Sequence, residues 1–333
     1  MEAGWTYSLI PMEIEITEVP PLKPGELSLL NMHSLLNILN VLQGETMLIG
    51  QELADDPDLL RESLAVCGRV KASFSDTAAA LRFAARVREE EQFILNEIAA
   101  QSARFPSREA SPEIRESLEN IRSVFHILEV RAQEILTRAS EPGKWIEIPI
   151  DRLRMDFQEV FAAIEKNSHG RFRIIYNLAL QQSLDYYVDF VVEGARSSIV
   201  SLPLLFKDVM RDLIANARKY TAPGGTINVG LCESDKELRF VVQDSGCGIP
   251  PDEIQRVVHF GVRGSNVQKV RTMGGGLGLT KAFLVTKQFG GRMWIRSGLG
   301  VGTRITITLP RPSEAGAAPY ASREVFSLSA SSR

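Results

Sequence analysis

The segment TINVGLCESDKELRFVVQD, residues 226–244, alternates apolar and polar side chains on both sides of a polar turn. The apolar side chains occupy every second position: Ile227, Val229, Leu231, Leu238, Phe240 and Val242. Successive side chains of a β-strand point to opposite faces, so this alternation is typical of strands with one buried face. The segment therefore predicts an antiparallel hairpin that packs one face into a hydrophobic core.

Helical patterns surround this hairpin at about residues 151–167, 203–220 and 279–289, and TRITITLP at 303–310 alternates like another strand. Helices that cover one face of such a sheet form a two-layer α/β sandwich. We assign this sandwich to residues 141–312 and interpret 313–333, which is rich in small and polar residues, as a flexible tail.

The preceding part of the chain predicts a helical bundle over residues 27–140, since it is nearly free of glycine and follows helical periodicity. We expect one helix from Leu27 to Leu53 and a second from Pro57, capped by Asp56, towards Arg104. A third opens at Ser111. Residues 1–26 form an N-terminal arm whose MEIEITEV segment can add an edge strand. The fold class is therefore α+β, an N-terminal helical bundle followed by the sandwich.

The composition limits the classes of function. The 333 residues are 44% hydrophobic and carry a formal net charge of −3 with acids and bases mixed along the chain. We therefore expect no nucleic-acid partner. No apolar run is long enough for a membrane span, and the N-terminus lacks the features of a signal peptide. Three scattered cysteines fit a reducing compartment. These features predict a soluble, cytoplasmic protein.

Three glycine clusters follow in order: DSGCGIP at 244–250, GGGLGL at 274–279 and GVGT at 300–303. The second has neither the glycine spacing of a dinucleotide fingerprint nor the Lys-Ser/Thr ending of a Walker loop. Each cluster alone is compatible with a tight turn. Glycines before a helix also let backbone N–H groups approach and hold phosphate oxygens.

Together with RDLIANARKYT at 211–221, these clusters resemble the ATP-binding module shared by sensor histidine kinases, DNA gyrase, Hsp90 and MutL. The boxes of that family are matched in order by DLIANARKYT (N), DSGCGIP (G1), HFGVRGS (F), GGGLGL (G2) and GVGT (G3). The segments NARKYT and FGGRMWIRSGLGVGTRITITLP are similar to histidine kinases in particular.

The resemblance implies roles for individual residues. Asn216 would be the protein ligand of Mg²⁺, as suits a hard amide oxygen, and Asp244 would accept a hydrogen bond from the adenine amino group. Tyr220 would flank the nucleotide. The remaining nucleotide-binding candidates are Lys219, Gly246, Gly248, Arg263, Gly274, Gly276, Gly278 and Thr303. The polar stretch 251–273 would form a lid. In the alternative, purely structural interpretation, Asn216 is an ordinary helix residue and Asp244 caps a turn.

Asp212 lies four residues before Asn216, where many histidine kinases have a second asparagine and where the gyrase branch, with some histidine kinases, has a carboxylate. A carboxylate at this position can polarise water or an attacking group, so we count Asp212 among the catalytic candidates. The alternative is a solvated acid on the helix surface.

NMHSLLNILN at 31–40 supplies the candidate phosphoacceptor. On a helix, His33, Asn37, Asn40 and Gly44 share one face, which predicts an exposed His33. A different face carries the apolar stripe, formed by Leu35, Leu39, Leu42 and Ile49. The resemblance implies that His33 attacks the γ-phosphate of ATP and that Asn37 positions water during dephosphorylation of the partner. Ser34 and Ile38 depart from the acid and the proline that the family commonly has. His126 is a weaker rival.

These features predict a histidine protein kinase of a two-component system. It would form a homodimer, autophosphorylate on His33 with Mg-ATP and pass the phosphoryl group to the receiver domain of a separate response regulator. A separate sensor partner is also expected. Two alternatives stay open: an ATPase or serine kinase of the same fold that uses Asp212, and a non-enzymatic phosphotransfer or docking module with a relic ATP site.

Overall fold

The computed structural model describes residues 13–109, 111–166, 170–196, 198–268 and 275–312. The described chain divides into a helical unit, residues 21–144, and an α/β unit, residues 13–20 with 145–312. The predicted tail at 313–333 and the first twelve residues of the predicted arm lie outside the described residues.

The helical unit is built on two long helices that pack against each other, α1 (Pro24–Ala54) and α6 (Pro112–Ser140). Helix α6 begins where the sequence predicts, because the Ser111 hydroxyl accepts a hydrogen bond from the Ile114 N–H and Pro112 occupies the first turn. Four shorter helices lie between them: α2 (Arg61–Ser73), α3 (Thr77–Ala84), α4 (Val87–Ser102) and α5 (Pro106–Glu109).

The prediction of a single helix from Pro57 towards Arg104 is wrong. The Asp56 carboxylate accepts a bond from the Asp58 N–H in a turn, and the helix begins only at Arg61. A second interruption follows at Ser75 and Asp76, where Asp76 caps α3 by accepting from the Ala79 N–H. An aspartate that satisfies a free N–H group at a helix start favours a new helix over continuation of the preceding one.

The apolar stripe predicted for α1 is confirmed. Leu35, Leu39, Leu42 and Ile49 are all buried and belong to one hydrophobic core that also contains Phe125 of α6. The two helices are also joined by a hydrogen bond from the Asn120 amide to the Glu45 carboxylate. The helical unit therefore has a core of its own.

The α/β unit contains a seven-stranded sheet in the order β1-β8-β9-β7-β6-β4-β3. Its strands are β1 (Ile14–Ile16), β3 (Ile174–Ile175), β4 (Tyr186–Glu193), β6 (Thr226–Glu233), β7 (Glu237–Asp244), β8 (Arg292–Gly298) and β9 (Gly302–Pro310). A separate antiparallel pair is formed by β2 (Trp145–Pro149) and β5 (Ile199–Pro203). Three helices pack on these strands: α7 (Ile150–Lys166), α8 (Leu204–Tyr220) and α9 (Gly278–Gln288).

The predicted hairpin is confirmed as β6 and β7, which pair antiparallel with Ile227 opposite Asp244. The alternate residues Ile227, Val229 and Leu231 are buried, whereas Asn228 on the other face is exposed. One face of the sheet thus packs on the helices, and the predicted fold class, a helical region followed by a two-layer α/β sandwich, is confirmed.

The predicted edge strand of the arm is also confirmed, since β1 pairs antiparallel with β8 and extends the sheet at one end. Arg292 of β8 donates two hydrogen bonds to the carboxylate of Glu15, and this ion pair stabilises the attachment of β1 to the sheet. Across the described residues, no helix has both the length and the apolar content needed to cross a bilayer.

Candidate functional site

Asp244 lies at the end of β7 and marks one end of the candidate site. Its Oδ1 accepts hydrogen bonds from the Gly246 N–H at 2.8 Å and the Thr303 N–H at 3.3 Å. Burial raises the pKa of this carboxyl to about 6, although the two backbone N–H groups act in the opposite direction. Both described bonds go to Oδ1, so Oδ2 is the oxygen that can accept from a ligand.

The glycines of the DSGCGIP segment let backbone segments approach closely around Asp244. Gly246 lies where a Cβ would come 2.4 Å from the Tyr220 carbonyl oxygen. Gly248 has φ +71, and a Cβ there would be 1.9 Å from the Gly298 carbonyl oxygen. Glycine is the residue that tolerates both conditions, so these positions bring the loop after β7 against α8 and β8.

Thr303 is the second residue of β9 and lies directly opposite Asp244 in the sheet. Its hydroxyl lies 2.8 Å from the hydroxyl of Ser297, which also donates to the Gly302 carbonyl. Ser297 was not among the residues selected from the sequence. Only the pairing of β8 with β9 brings it beside Thr303, so no local pattern could have identified it.

Asn216 of α8 meets the start of α9. The Asn216 amide nitrogen is 2.9 Å from the position that a Cβ would occupy on Gly278. Gly276, with φ +73, turns the chain into α9 beside Gly261. The structure therefore brings the N and G2 boxes together through a close contact between Asn216 and Gly278. Gly274 lies outside the described residues.

A group of cationic side chains lies at the C-terminal end of α8. Burial lowers the pKa of Lys219 to about 8, and the positive charges of Arg263 and Arg218 lower it further. The Lys219 ammonium lies 5.0 Å from the centre of the Tyr220 ring. Mutual repulsion between neighbouring cations is relieved when an anion binds among them, so this group suits a polyphosphate.

The described part of the predicted lid, residues 251–268, is attached to the loop after β7. The Asn266 amide donates to the Gly248 carbonyl at 2.8 Å, and Glu253 accepts from the Ser265 N–H. Arg263 donates to the Val267 carbonyl at 2.8 Å. The predicted lid residues 269–273 lie outside the described part of the chain.

Asp212 is not a solvated surface acid. Its Oδ2 lies 3.1 Å from the ammonium of Lys281 on α9, and only 18% of the Asp212 side chain is exposed. Lys281 belongs to none of the motifs recognised in the sequence. A signal for it was present in the sequence, because Leu277 and Val285 lie four residues before and four residues after Lys281. This spacing places the lysine on the buried, apolar face of α9.

The predicted exposure of His33 is wrong, since only 7% of this residue is exposed. Its neighbours Leu30, Asn31 and Met32 are buried as well, so the whole circumference of α1 is covered at this level. Helical periodicity tells which residues share a face but not what covers that face. Asn37, which the sequence places on the same helix face, does contact His33: its amide donates to His33 Nε2 at 3.3 Å. The rival His126 is exposed on α6.

The α/β unit therefore places a buried carboxylate, a cationic group and an amide side chain around loops in which glycine permits close backbone approach. A carboxylate acceptor suits an exocyclic amino group such as that of adenine, and the cations suit phosphates. These acceptor and cationic side chains thus fit ATP, and the Asn216 amide is a suitable ligand for Mg²⁺.

Comparisons with known proteins agree with this chemistry. Residues 202–313 match the family described as histidine kinase-, DNA gyrase B-, and HSP90-like ATPase. The histidine protein kinase DivJ of Caulobacter vibrioides is 37% identical over 105 residues, which cover 31% of this chain and 17% of DivJ. The sensor protein SrrB of Staphylococcus aureus is 28% identical over 204 residues, 60% of this chain and 32% of SrrB.

The chain thus spans less than a third of the length of these curated relatives. Among solved structures, a mycobacterial sensor histidine kinase, MprB, aligns with 20% sequence identity and a TM-score of 0.35. That alignment covers 50% of this chain and 97% of the MprB chain. The resemblance of the sequence to sensor histidine kinases with this type of ATP-binding domain is confirmed by the family match and the relatives.

Proposed function

We propose, given that residues 202–313 match the histidine kinase-, DNA gyrase B- and HSP90-like ATPase family, that this chain is an ATP-dependent protein-histidine kinase. The observation that carries the proposal is the Asp244 carboxylate. Two backbone N–H groups hold it at the end of β7, within the matched segment. A buried acceptor fixed in this way recognises the adenine amino group and selects adenine over guanine, which has an oxygen at that position.

The phosphates would bind among the cationic side chains at the end of α8 and the backbone at the start of α9. Lys219 and Arg263 supply charge, and the glycine at 278 lets N–H groups at the N-terminus of α9 come close. Asn216 would hold Mg²⁺, which supplies neutralisation of phosphate charge when it is bound.

His33 is the proposed phosphoacceptor. Neutral imidazole is a competent nucleophile through a ring nitrogen lone pair. In the structure, the Asn37 amide donates to Nε2, and only 7% of His33 is exposed, so the lone pair of this nitrogen is engaged and the ring is largely covered. Phosphorylation of His33 therefore requires a conformation in which this part of α1 is uncovered and the hydrogen bond from Asn37 is broken.

The relatives are named as histidine kinases and sensor proteins, which supports a response regulator as the partner that receives the phosphoryl group. Transfer from phospho-His33 to a receiver aspartate, a separate sensor partner and a cytoplasmic location are parts of the same proposal. We further propose a homodimer formed through the long helices. Val41 and Leu48 of α1 and Ile127 and Val130 of α6 are exposed apolar side chains that can supply its interface.

Incubation of the purified full chain with γ-labelled Mg-ATP tests the proposed function. We expect a protein-bound label that acid removes and alkali preserves, because a phosphoramidate bond to imidazole hydrolyses in acid whereas a phosphoserine survives it. An acid-stable label would contradict a histidine kinase and favour a serine kinase. Release of inorganic phosphate without any label on the protein would indicate an ATPase.

The ATPase alternative is favoured by one specific observation, the burial of His33. In that case Asp212 would assist attack by water, and His33 would be a buried side chain without a role in the reaction. A non-enzymatic docking module with a relic site would bind nucleotide without turnover, so the same incubation separates it from both enzymes.

The pH dependence of ATP binding follows from the pKa values of Asp244 and Lys219. Asp244 accepts as a carboxylate and is charged above its pKa of about 6. Lys219 is charged below its pKa of about 8. We expect the affinity to be highest between these values and to fall by up to about tenfold per pH unit on either side, because one binding group loses its charge there. Isothermal titration calorimetry across this range measures it.

Two variants separate the limbs of this profile. Asp244→Asn has no titrating group at this position. It should therefore flatten the acid limb, apart from the contribution of the ATP phosphates themselves. Lys219→Arg keeps its charge at every pH used and should flatten the alkaline limb. A wild-type profile identical to those of both variants would contradict these assignments.

A further inference from the structure

We propose that Lys281 is a positioning residue that fixes the Asp212 carboxylate for phosphoryl transfer, an inference that rests on the proposed function. Lys281 has 0% exposure, although the ammonium group is among the most strongly hydrated in proteins. A lysine is retained in such an environment when carboxylates replace its water, and α8 supplies two of them.

The ammonium of Lys281 bridges one turn of α8. It lies 3.3 Å from Asp208 Oδ2 and 3.1 Å from Asp212 Oδ2, and these two acids are four residues apart on the same face of the helix. Asp208 also pairs with Arg211. The described ion pairs thus join two positive side chains, Lys281 and Arg211, to two negative ones, Asp208 and Asp212.

The same contact surface between α8 and α9 continues to the proposed metal ligand. Asn216 is one turn beyond Asp212 on α8, and Gly278, three residues before Lys281 on α9, packs against the Asn216 amide. Asp212 therefore lies between a buried ion pair and the place where Mg²⁺ and the phosphates would bind. The described contact of Asp212 with Lys281 uses Oδ2, which leaves Oδ1 to accept a hydrogen bond from a reacting group.

A carboxylate held on one side by a buried ammonium cannot rotate freely. Supporting groups of this kind orient a catalytic side chain at little entropic cost during the reaction. Without Lys281 the Asp212 carboxylate would be partly buried next to Asp208 with like charge, and it would turn towards water. Lys281 thus acts on the rate through Asp212 and not through contact with the nucleotide.

A double-mutant cycle between Asp212→Asn and Lys281→Met in the full chain tests this role. We expect Asp212→Asn to lower the phosphoryl-transfer rate by about 100-fold with ATP affinity nearly intact. Lys281→Met should lower the rate by about tenfold, also with little change in affinity. The double variant should be no slower than Asp212→Asn within about twofold, since both changes remove the same oriented carboxylate. Additive losses would overturn the proposal.

Thermal unfolding of the same four proteins provides a readout that needs no turnover. In the wild-type background, Asp212→Asn should lower the melting temperature because the ammonium loses a partner. In the Lys281→Met background it should raise the melting temperature, because the uncompensated carboxylate is gone. If Lys281→Met does not fold, the double variant should; a double variant that also fails to fold would overturn the proposal.

Lys287→Met is the matched control. It is the same substitution on the same helix, at a lysine whose ammonium lies over the Phe283 ring and does not pair with Asp208 or Asp212. Its rate and its response to Asp212→Asn should equal those of the wild type. Absence of acid-labile label from the wild type, with the reversal of melting temperatures intact, would contradict the proposed function alone. Label without rate coupling would contradict the role of Lys281 alone.

Discussion

Asp244→Ala is expected to weaken ATP binding by about 100-fold, since the adenine amino group loses a charged acceptor that the site cannot replace. Asn216→Ala should lower turnover by a similar factor, about 100-fold, through loss of the protein ligand to Mg²⁺. Calorimetric titration with ATP, and turnover measured with γ-labelled ATP, give the two quantities. Unchanged affinity and turnover in both variants would remove the basis for a nucleotide site.

The controls separate recognition from folding. Asp235→Ala, in the exposed turn of the same hairpin, and Asn228→Ala, on the exposed face of β6, make the same substitutions away from the site. Both should bind ATP like the wild type. Asp244 also holds the N–H groups of Gly246 and Thr303, so Asp244→Asn, which keeps an acceptor oxygen for them, should fold normally and still lose affinity.

His33→Gln is expected to reduce the acid-labile label by at least about 100-fold, because glutamine has no nucleophilic ring nitrogen. ATP affinity should stay at the wild-type value, since the candidate nucleotide-binding residues all belong to the α/β unit and His33 to the helical unit. Radiolabelling with γ-labelled ATP, followed by acid and alkali treatment, measures the first quantity, and calorimetry measures the second.

Two further substitutions sharpen this result. His126→Gln, at the exposed histidine of α6, should label like the wild type; if it loses the label instead, His126 is the acceptor. Asn37→Ala should keep at least wild-type labelling, since it removes the hydrogen bond that occupies His33 Nε2. It should also impair dephosphorylation of the receiver partner. An acid-labile label that persists in His33→Gln would assign the acceptor role to another residue.

The sequence alone determined the features that depend on local periodicity and on closely spaced motifs. Alternation between Ile227 and Val242 specified the hairpin, and the order of the glycine clusters specified the type of ATP-binding domain. The Ser111-Pro112 start of α6 was equally readable, because a helix cap is satisfied within one turn. Each of these signals involves residues whose physical interaction is mostly with near neighbours in the chain.

Only the tertiary structure decided which side chains are enclosed and by what. The Asp212 carboxylate meets Lys281, 69 positions away, so neither its burial nor its partner is visible in the pattern of α8. His33 lies on a helix face that is polar in sequence, and its own side chain is nevertheless buried. Burial depends on contacts between distant segments, whereas periodicity reports only the direction in which a side chain leaves its own helix.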